Sequence, residues 1–438
     1  MDNSTVNATK ADADPITIDG PARWTTRKRM ILPGILLVLC LIPAVSGAFH
    51  GGNLTWLYVF VFAWALSSVL TPLAIRLSFR FGWLDIPGGR KAHGRATPLL
   101  GGLAIIGSFG VTLLVTFTYS LEMKAVGLGG LLIWLVGVVD DRWELPAVMK
   151  LLAQLGATAL MIAFGVHVTF LPDTLWGIAG EWIITAFWIL GITNAVNFLD
   201  GMDGLAAGMS AIIAGLIALV ALQTHQYYFM VVSLALFGAC TGFLPYNFRR
   251  GRNARIFLGD NGSTFLGFTL AATTLMGDWA DNNIAGLIVP ILLLSVPIFD
   301  MTMTTIVRFG TGKVRTFGEW LAYTGRDHFH HRLAALGIGR FNAVLVIYTV
   351  TVIIGIPAVV LKQARGIDAV LLLSQSAFFF LLLSYFMIFV RTHQIRLFVE
   401  EQSRVTDNGH ELDPGRLEIL LAGADQPEQK REEQDVED

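Results

Sequence analysis

Apolar residues in this chain gather into long blocks separated by short polar stretches. The blocks start at Ile31, Leu54, Gly101, Ala125, Ala147, Trp182, Leu205, Phe229, Ser263, Ile284, Phe341 and Ala369. Each approaches the roughly 20 residues that a helix needs to cross a bilayer. The pattern predicts an all-α integral membrane protein, a polytopic helical bundle of about 12 transmembrane helices. The inner loops are expected at 79–100, 140–146, 199–204, 247–262 and 308–340.

Charge placement sets the orientation. With the amino terminus on the cytoplasmic side, the loops that fall outside hold only Lys124, Lys362 and Arg365. Every other Lys and Arg falls inside or at an inner helix end, the asymmetry of the positive-inside rule. Both termini are then cytoplasmic, and nearly all polar chemistry collects on that face.

Composition agrees: 54% of the 438 residues are hydrophobic and 15% charged, against roughly 25% charged in a soluble domain. A net charge of −2 without a dense basic block gives no reason to expect a nucleic-acid partner. Cys40 and Cys240 lie far apart in apolar segments and suggest neither a disulfide framework nor a cysteine metal cluster. Residues 1–30 form a polar leader ending in Arg23, Arg27, Lys28 and Arg29. The apolar run after it is longer than the 7–15 residues of a signal-peptide core, so an uncleaved first span is expected. A membrane body over 31–390 follows, then an acidic tail over 391–438 whose composition cannot bury a core. No internal repeat marks a solenoid or an inverted-repeat transporter.

Four polar constellations interrupt the apolar pattern. Asp140-Asp141 ends the fourth run, and Pro146 suits the first turn of the next helix, on which Lys150 and Gln154 share one face. Adjacent carboxylates followed by a lysine make an acid/base and phosphate-binding corner; salt bridging at the interface is the bland alternative. Asn194, Asn197, Asp200 and Asp203 crowd one turn with Gly201 and Gly204, where side-chain oxygens suit a hard divalent ion or a nucleotide sugar. Phe257-Leu258-Gly259-Asp260-Asn261-Gly262 opens a helix with one carboxylate, a start that attracts phosphate or its bound Mg²⁺. Arg249, Arg250, Arg252 and Arg255 precede it and serve headgroups, substrate or topology equally well. Asp327-His328-Phe329-His330-His331-Arg332 fills the longest inner loop. Without a Cys or a metalloprotease Glu beside them, diphosphate contact suits these histidines better than zinc. A transporter would place its ionisable groups near mid-helix, whereas these collect at one face.

In this order the segments resemble the polyprenyl-phosphate N-acetylhexosamine-1-phosphate transferases, glycosyltransferase family 4, over about 84–336. The likeness is closest to bacterial undecaprenyl-phosphate GlcNAc-1-phosphate transferases. It rests on Arg90-Lys91-x-His93, Asn194-x-x-Asn197, Pro297-x-x-Asp300 and Asp327-His328-x-His330-His331, besides the Asp pair and glycine turns. The sibling phospho-N-acetylmuramoyl-pentapeptide transferases usually carry Thr-Pro-Thr-Met-Gly-Gly where this chain reads Thr97-Pro98-Leu99-Leu100-Gly101-Gly102. The extra first span and the polar leader also depart from that pattern.

The resemblance implies a cytoplasmic-face active site in the bacterial inner membrane, using Mg²⁺, or Mn²⁺ in its place. It implies transfer of N-acetylhexosamine 1-phosphate from a UDP-sugar to undecaprenyl phosphate. By position, Asp260 and Asn197 would hold the metal. Asp140 would be the base, Asp141 its partner or a second metal contact, and Lys150 a diphosphate clamp. Asn194, Asp200 and Asp203 would bind the nucleotide sugar or orient the metal, and Phe257 would lie against uracil. His328 and His330 would hold phosphate, with Arg332, Lys91 and His93 completing the substrate-binding set. The expected partners are UDP-N-acetylhexosamine, undecaprenyl phosphate and membrane lipid, with a homodimer left open.

Overall fold

The computed structural model describes residues 27–86, 96–116, 120–323, 325 and 327–407. Lys91, His93, the first 26 residues and the tail from 408 lie outside the described residues.

A helix lies on each of the apolar runs. The first is a bent pair, α1 (Arg27–Cys40) and α2 (Pro43–Gly51), followed by α3 (Thr55–Phe81). A two-residue antiparallel ladder, β1 (Leu84–Asp85) and β2 (Thr97–Pro98), pairs Leu84 with Pro98. Then come α4 (Gly101–Thr116), α5 (Leu121–Trp143), α6 (Ala147–Ala163), α7 (Leu175–Phe198), α8 (Leu205–Gln223) and α9 (Tyr227–Asn247). The second half holds α10 (Asp260–Met276), the bent pair α11 (Asn283–Leu293) and α12 (Ser295–Gly310), and the short α13 (Phe317–Ala322) and α14 (Phe329–Leu333). It closes with α15 (Arg340–Val359) and α16 (Gly366–Asp407). Among the described residues, seven helices are long and apolar enough to cross a membrane, and nine spans result if each bent pair is one. The remaining three runs carry α4, α6 and α10. At 17 residues, α6 and α10 reach about 25 Å, short of a hydrocarbon core of roughly 30 Å.

The bundle is built around α10, in which every residue from Asn261 to Thr274 is buried. It packs against α7, α5 and α4. Its hydroxyls are satisfied within the helix: Ser263 donates to the Gly259 carbonyl, Thr273 to Thr269 and Thr274 to Leu270. That is how a hydroxyl-rich helix enters a dry core without orphaned donors. Small residues bring the axes together. Gly238 and Gly242 of α9 face the α3 backbone so closely that a Cβ at either would strike it. Ser67 and Ser68 of α3 then donate to the carbonyls of Ala239 and Gly242.

This packing carries the functional ends to one side. The C-terminus of α5, the N-terminus of α6, the C-terminus of α7 and the N-terminus of α10 meet there. The 257–258 strand of chain bonds to the start of α4, through Gly101 N–H to the Phe257 carbonyl and Gly102 N–H to Leu258.

Candidate active site

Lys150 is the hub. One turn into α6, its Nζ pairs with Asp140 Oδ2 from the end of α5 and lies 3.1 Å from Asp260 Oδ2 at the start of α10. Asp140 is 5% exposed, and its other oxygen accepts from the Leu145 N–H, closing the α5–α6 corner. Asn197, in the last turn of α7, donates to Asp260 Oδ1 at 3.1 Å and to Ser263 Oγ. Residues 110 apart in sequence thus share one ion-pair cluster.

Asp141 faces the other way. Its Oδ1 accepts the Asp260 N–H at 2.8 Å, and its Oδ2 accepts both the Asn261 N–H at 3.2 Å and the Asn261 side-chain amide. It is an N-cap supplied from another helix.

Two cavities meet at Asp260. A small one of about 20 Å³ lies between α5 and α6, lined by Ile133, Val136, Gly137, Asp140, Lys150 and Gln154 among others. A larger one of about 670 Å³ is lined by the carboxylates of Asp141, Asp200, Asp203 and Asp260 and by the basic side chains of Arg249, Arg252, His331 and Arg340. Phe257, Phe248 and Phe341 also line it. Such a volume suits a nucleotide-sized ligand. Burial, with the nearby charges of Asp260, Asp141 and Asp203, holds the Asp200 carboxyl well above the usual carboxylate range. Asp203 ties the lining together by accepting the Ala254 N–H, while Asn247 accepts from Gly204 N–H and donates to the Ile256 carbonyl. Gly204 adopts φ +84° against the Phe248 ring, a turn that excludes a side chain.

The other candidates hold the frame. Asn194 exchanges amide hydrogen bonds with Gln154 and fastens α7 to α6. His328 is locked in a buried chain. Arg308 makes a bidentate pair with Asp327, at 2.8 and 2.6 Å, and its Nη2 reaches His328 Nε2. Since arginine only donates, Nε2 accepts, and Nδ1–H donates to Asp300 Oδ2 at 2.7 Å. Burial opposes ionisation of Asp327, but the Arg308 bonds and charge win and hold its carboxyl below the usual range. Arg332 donates to the Asp327 carbonyl. His330 is wholly buried against Gly201, and burial, with the neighbouring His331, holds its pKa well below the ordinary value. Neither Asn194, His328, His330 nor Arg332 lines the two cavities.

Among the cavity residues that the sequence did not mark as ligands are His331, Arg340, Phe248 and Phe341. His331 sits inside the motif already noted, whereas Arg340 opens α15 from a position that no local pattern marks.

The donor set suits a hard divalent cation, since the acidic residues offer carboxylate oxygen without thiolate. Among the described residues no group of three or more His, Cys, Asp or Glu forms a closed metal cage. Mg²⁺ does not require one: it keeps several waters and takes one or two carboxylates together with substrate phosphate.

Comparison with known proteins agrees with this geometry. The family model described as glycosyl transferase family 4 matches residues 123–278, which hold the α5–α6 corner, the α7–α8 turn and the start of α10. A probable undecaprenyl-phosphate N-acetylglucosaminyl 1-phosphate transferase of Bacillus subtilis is 36% identical over 302 residues, covering 68% of this chain and 82% of the relative. A decaprenyl-phosphate N-acetylglucosaminephosphotransferase of Mycolicibacterium smegmatis is 35% identical over 62% of this chain and 73% of its own. A phospho-N-acetylmuramoyl-pentapeptide-transferase of Halalkalibacterium halodurans is 29% identical over 70% and 97%. With the Asp140–Lys150–Asp260 cluster inside the matched region, the chain belongs to glycosyl transferase family 4.

Proposed function

We propose that the protein transfers GlcNAc 1-phosphate from UDP-GlcNAc to undecaprenyl phosphate, releasing UMP, at the cytoplasmic face of a bacterial inner membrane. The observation that carries the reading is the meeting of the two cavities at Asp260. The larger, half acidic and half basic, accommodates the nucleotide sugar. The smaller, walled by α5 and α6, has room for about one water and marks the side from which the lipid phosphate approaches Asp260. In this topology α4, α6 and α10 also cross, giving twelve crossings with both termini inside, as the distribution of Lys and Arg suggests.

In the reaction, an oxygen of the lipid phosphate attacks the β-phosphorus of the sugar nucleotide, and the bond to the UMP oxygen breaks. Bound Mg²⁺ supplies neutralisation of the diphosphate charge, with Asp260 and Asn197 as its holders. Lys150 stands at the junction and draws the diphosphate toward Asp140 and Asp260. Asp140 orients the attacking phosphate and takes its proton where one is present. Arg249, Arg252, Arg340 and His331, which line the larger cavity, would meet the nucleotide's negative charge, and Phe257 from the same lining would lie against the uracil. GlcNAc as the sugar is supported by the relatives at 36% and 35% identity, both named for N-acetylglucosamine, above the 29% of the muramoyl-pentapeptide relative.

Purified protein given UDP-GlcNAc, undecaprenyl phosphate and Mg²⁺ is expected to release UMP and form undecaprenyl-diphospho-GlcNAc, identified by mass. Product from UDP-N-acetylmuramoyl-pentapeptide alone would transfer the chain to the sibling activity. Asp260→Ala and Asp140→Asn are each expected to lower transfer at least about a hundredfold while the protein still inserts. Turnover like that of the unmodified protein in either variant would remove that residue from the mechanism.

A further inference from the structure

The Asp pair at the end of α5 divides its labour. We infer that Asp141 is a positioning residue: it fixes the first turn of α10, and hence the Asp260 carboxylate, and takes no part in proton transfer. The inference rests on the proposed function and deepens it, because the resemblance leaves Asp141 as either the partner of the base or a second metal contact.

The geometry separates them. Asp140 meets Lys150, which also meets Asp260 Oδ2, and lines the small cavity. Asp141 spends its oxygens on three donors from α10: the N–H groups of Asp260 and Asn261 and the Asn261 amide. A helix start leaves four N–H groups without intrahelical partners, and α10 has Gly259 at its cap position, which offers no side chain. Asp141 supplies the missing acceptor from α5. Asn261 also donates to the Leu99 carbonyl, so the same turn is tied to the segment leading into α4.

Packing says the same independently. Gly137, one turn before Asp141 on α5, lies against the Asn261 backbone so closely that an added Cβ would overlap its Cα and nitrogen. Gly102 of α4 closes the other side against Gly262 and the Asn261 side chain. The first turn of α10 is therefore held by glycines on two helices and a carboxylate on one. Side chains 260 and 141 are kept in register by contacts that involve neither substrate.

The test exchanges the amide and the carboxylate. Asp141→Asn turns an acceptor into an amide that faces the Asn261 donors, so transfer is expected to fall about a hundredfold and the thermal midpoint of the purified protein to drop. Adding Asn261→Asp restores a donor–acceptor pair with the partners reversed. With the side-chain pair restored but one backbone N–H bond and the Asn261 bond to Leu99 still lost, the double variant is expected to recover at least tenfold in transfer, to regain part of the thermal midpoint, and to keep the pH–rate profile of the unmodified protein. A residue acting on protons would not be rescued by moving its carboxylate to 261. A double variant that regains that part of the thermal midpoint but stays as inactive as Asp141→Asn, or loses a limb of the pH profile, overturns the inference. Gly137→Ala adds and removes no functional group and is expected to lower transfer at least tenfold; full activity there would overturn it equally, even if the double variant does not fold. The thermal midpoints are read without turnover. Failure of the proposed reaction in the unmodified protein is thus distinguishable from failure of the positioning role.

Discussion

At the scale of single residues the junction depends on one cation. Lys150 lies between carboxylates that come from α5 and α10, and no other Lys or Arg is paired with either among the described residues. Lys150→Met preserves the length of the side chain and removes its charge, leaving Asp140 and Asp260 facing each other. Transfer is expected to fall at least about a hundredfold, with a smaller fall in binding of a UDP-sugar measured calorimetrically, because the charge is used most at the reacting phosphate. Equal losses in binding and turnover would instead make Lys150 a simple affinity contact. Much of this corner was legible in the chain. The four-residue spacing of Lys150 and Gln154 suggests that both look back toward the carboxylate pair; Lys150 does reach Asp140, whereas Gln154 bonds Asn194 of α7 instead. The histidines were less legible, because three adjacent imidazoles give no sign of which one a distant Arg308 and Asp300 will claim.

At the scale of elements, the loop into α14 is fastened by groups that the sequence separates by up to 29 residues. Asp300 and Arg308 both sit on α12, the second half of a pair bent by 73°. Together they grip Asp327, His328 and the Phe329 N–H. Arg308 and Asp327 are nearly inaccessible, at 3% and 1% of their side-chain surface. Removing one partner of such a pair strands the other charge and costs about 3–5 kcal/mol. Arg308→Ala is expected to lower the thermal midpoint sharply. Asp327→Asn added to it should cost much less than it does alone, which a double-mutant cycle on thermal stability measures. Additive losses would mean that the two side chains do not act as a pair. The twelve runs were visible as hydrophobic blocks, since a bilayer-length helix needs only composition. The bend at Leu294 was not, because the Pro290 and Pro297 flanking it are each compatible with a continuous span whose neighbours resupply the backbone bonds.

At the scale of the whole molecule, loops from five parts of the chain converge on a cavity lined by both carboxylates and basic side chains. No periodicity predicts that meeting: it follows from α10 being surrounded by α4, α5 and α7. The concentration of carboxylates has a thermodynamic signature. Asp200 in the fold keeps its proton to higher pH than in the unfolded chain, whose carboxyl titrates near about 3.9, because burial and the charges of Asp260, Asp141 and Asp203 oppose ionisation. Between those two values the native state binds the extra proton, so this group's stabilising contribution is full below the window and is lost as pH rises through it. A divalent cation held by these carboxylates favours the ionised native form and acts in the opposite direction. The thermal midpoint without added metal is therefore expected to decline as pH is raised from about 5 to about 8, and millimolar Mg²⁺ to restore more of it at the upper end than at the lower. Asp200→Asn, neutral at every pH, should flatten the decline and shrink the restoration by Mg²⁺. A midpoint that rises with pH in the unmodified protein, or a Mg²⁺ effect equal at both ends, would show that the carboxylates are balanced by the basic side chains without help from a cation.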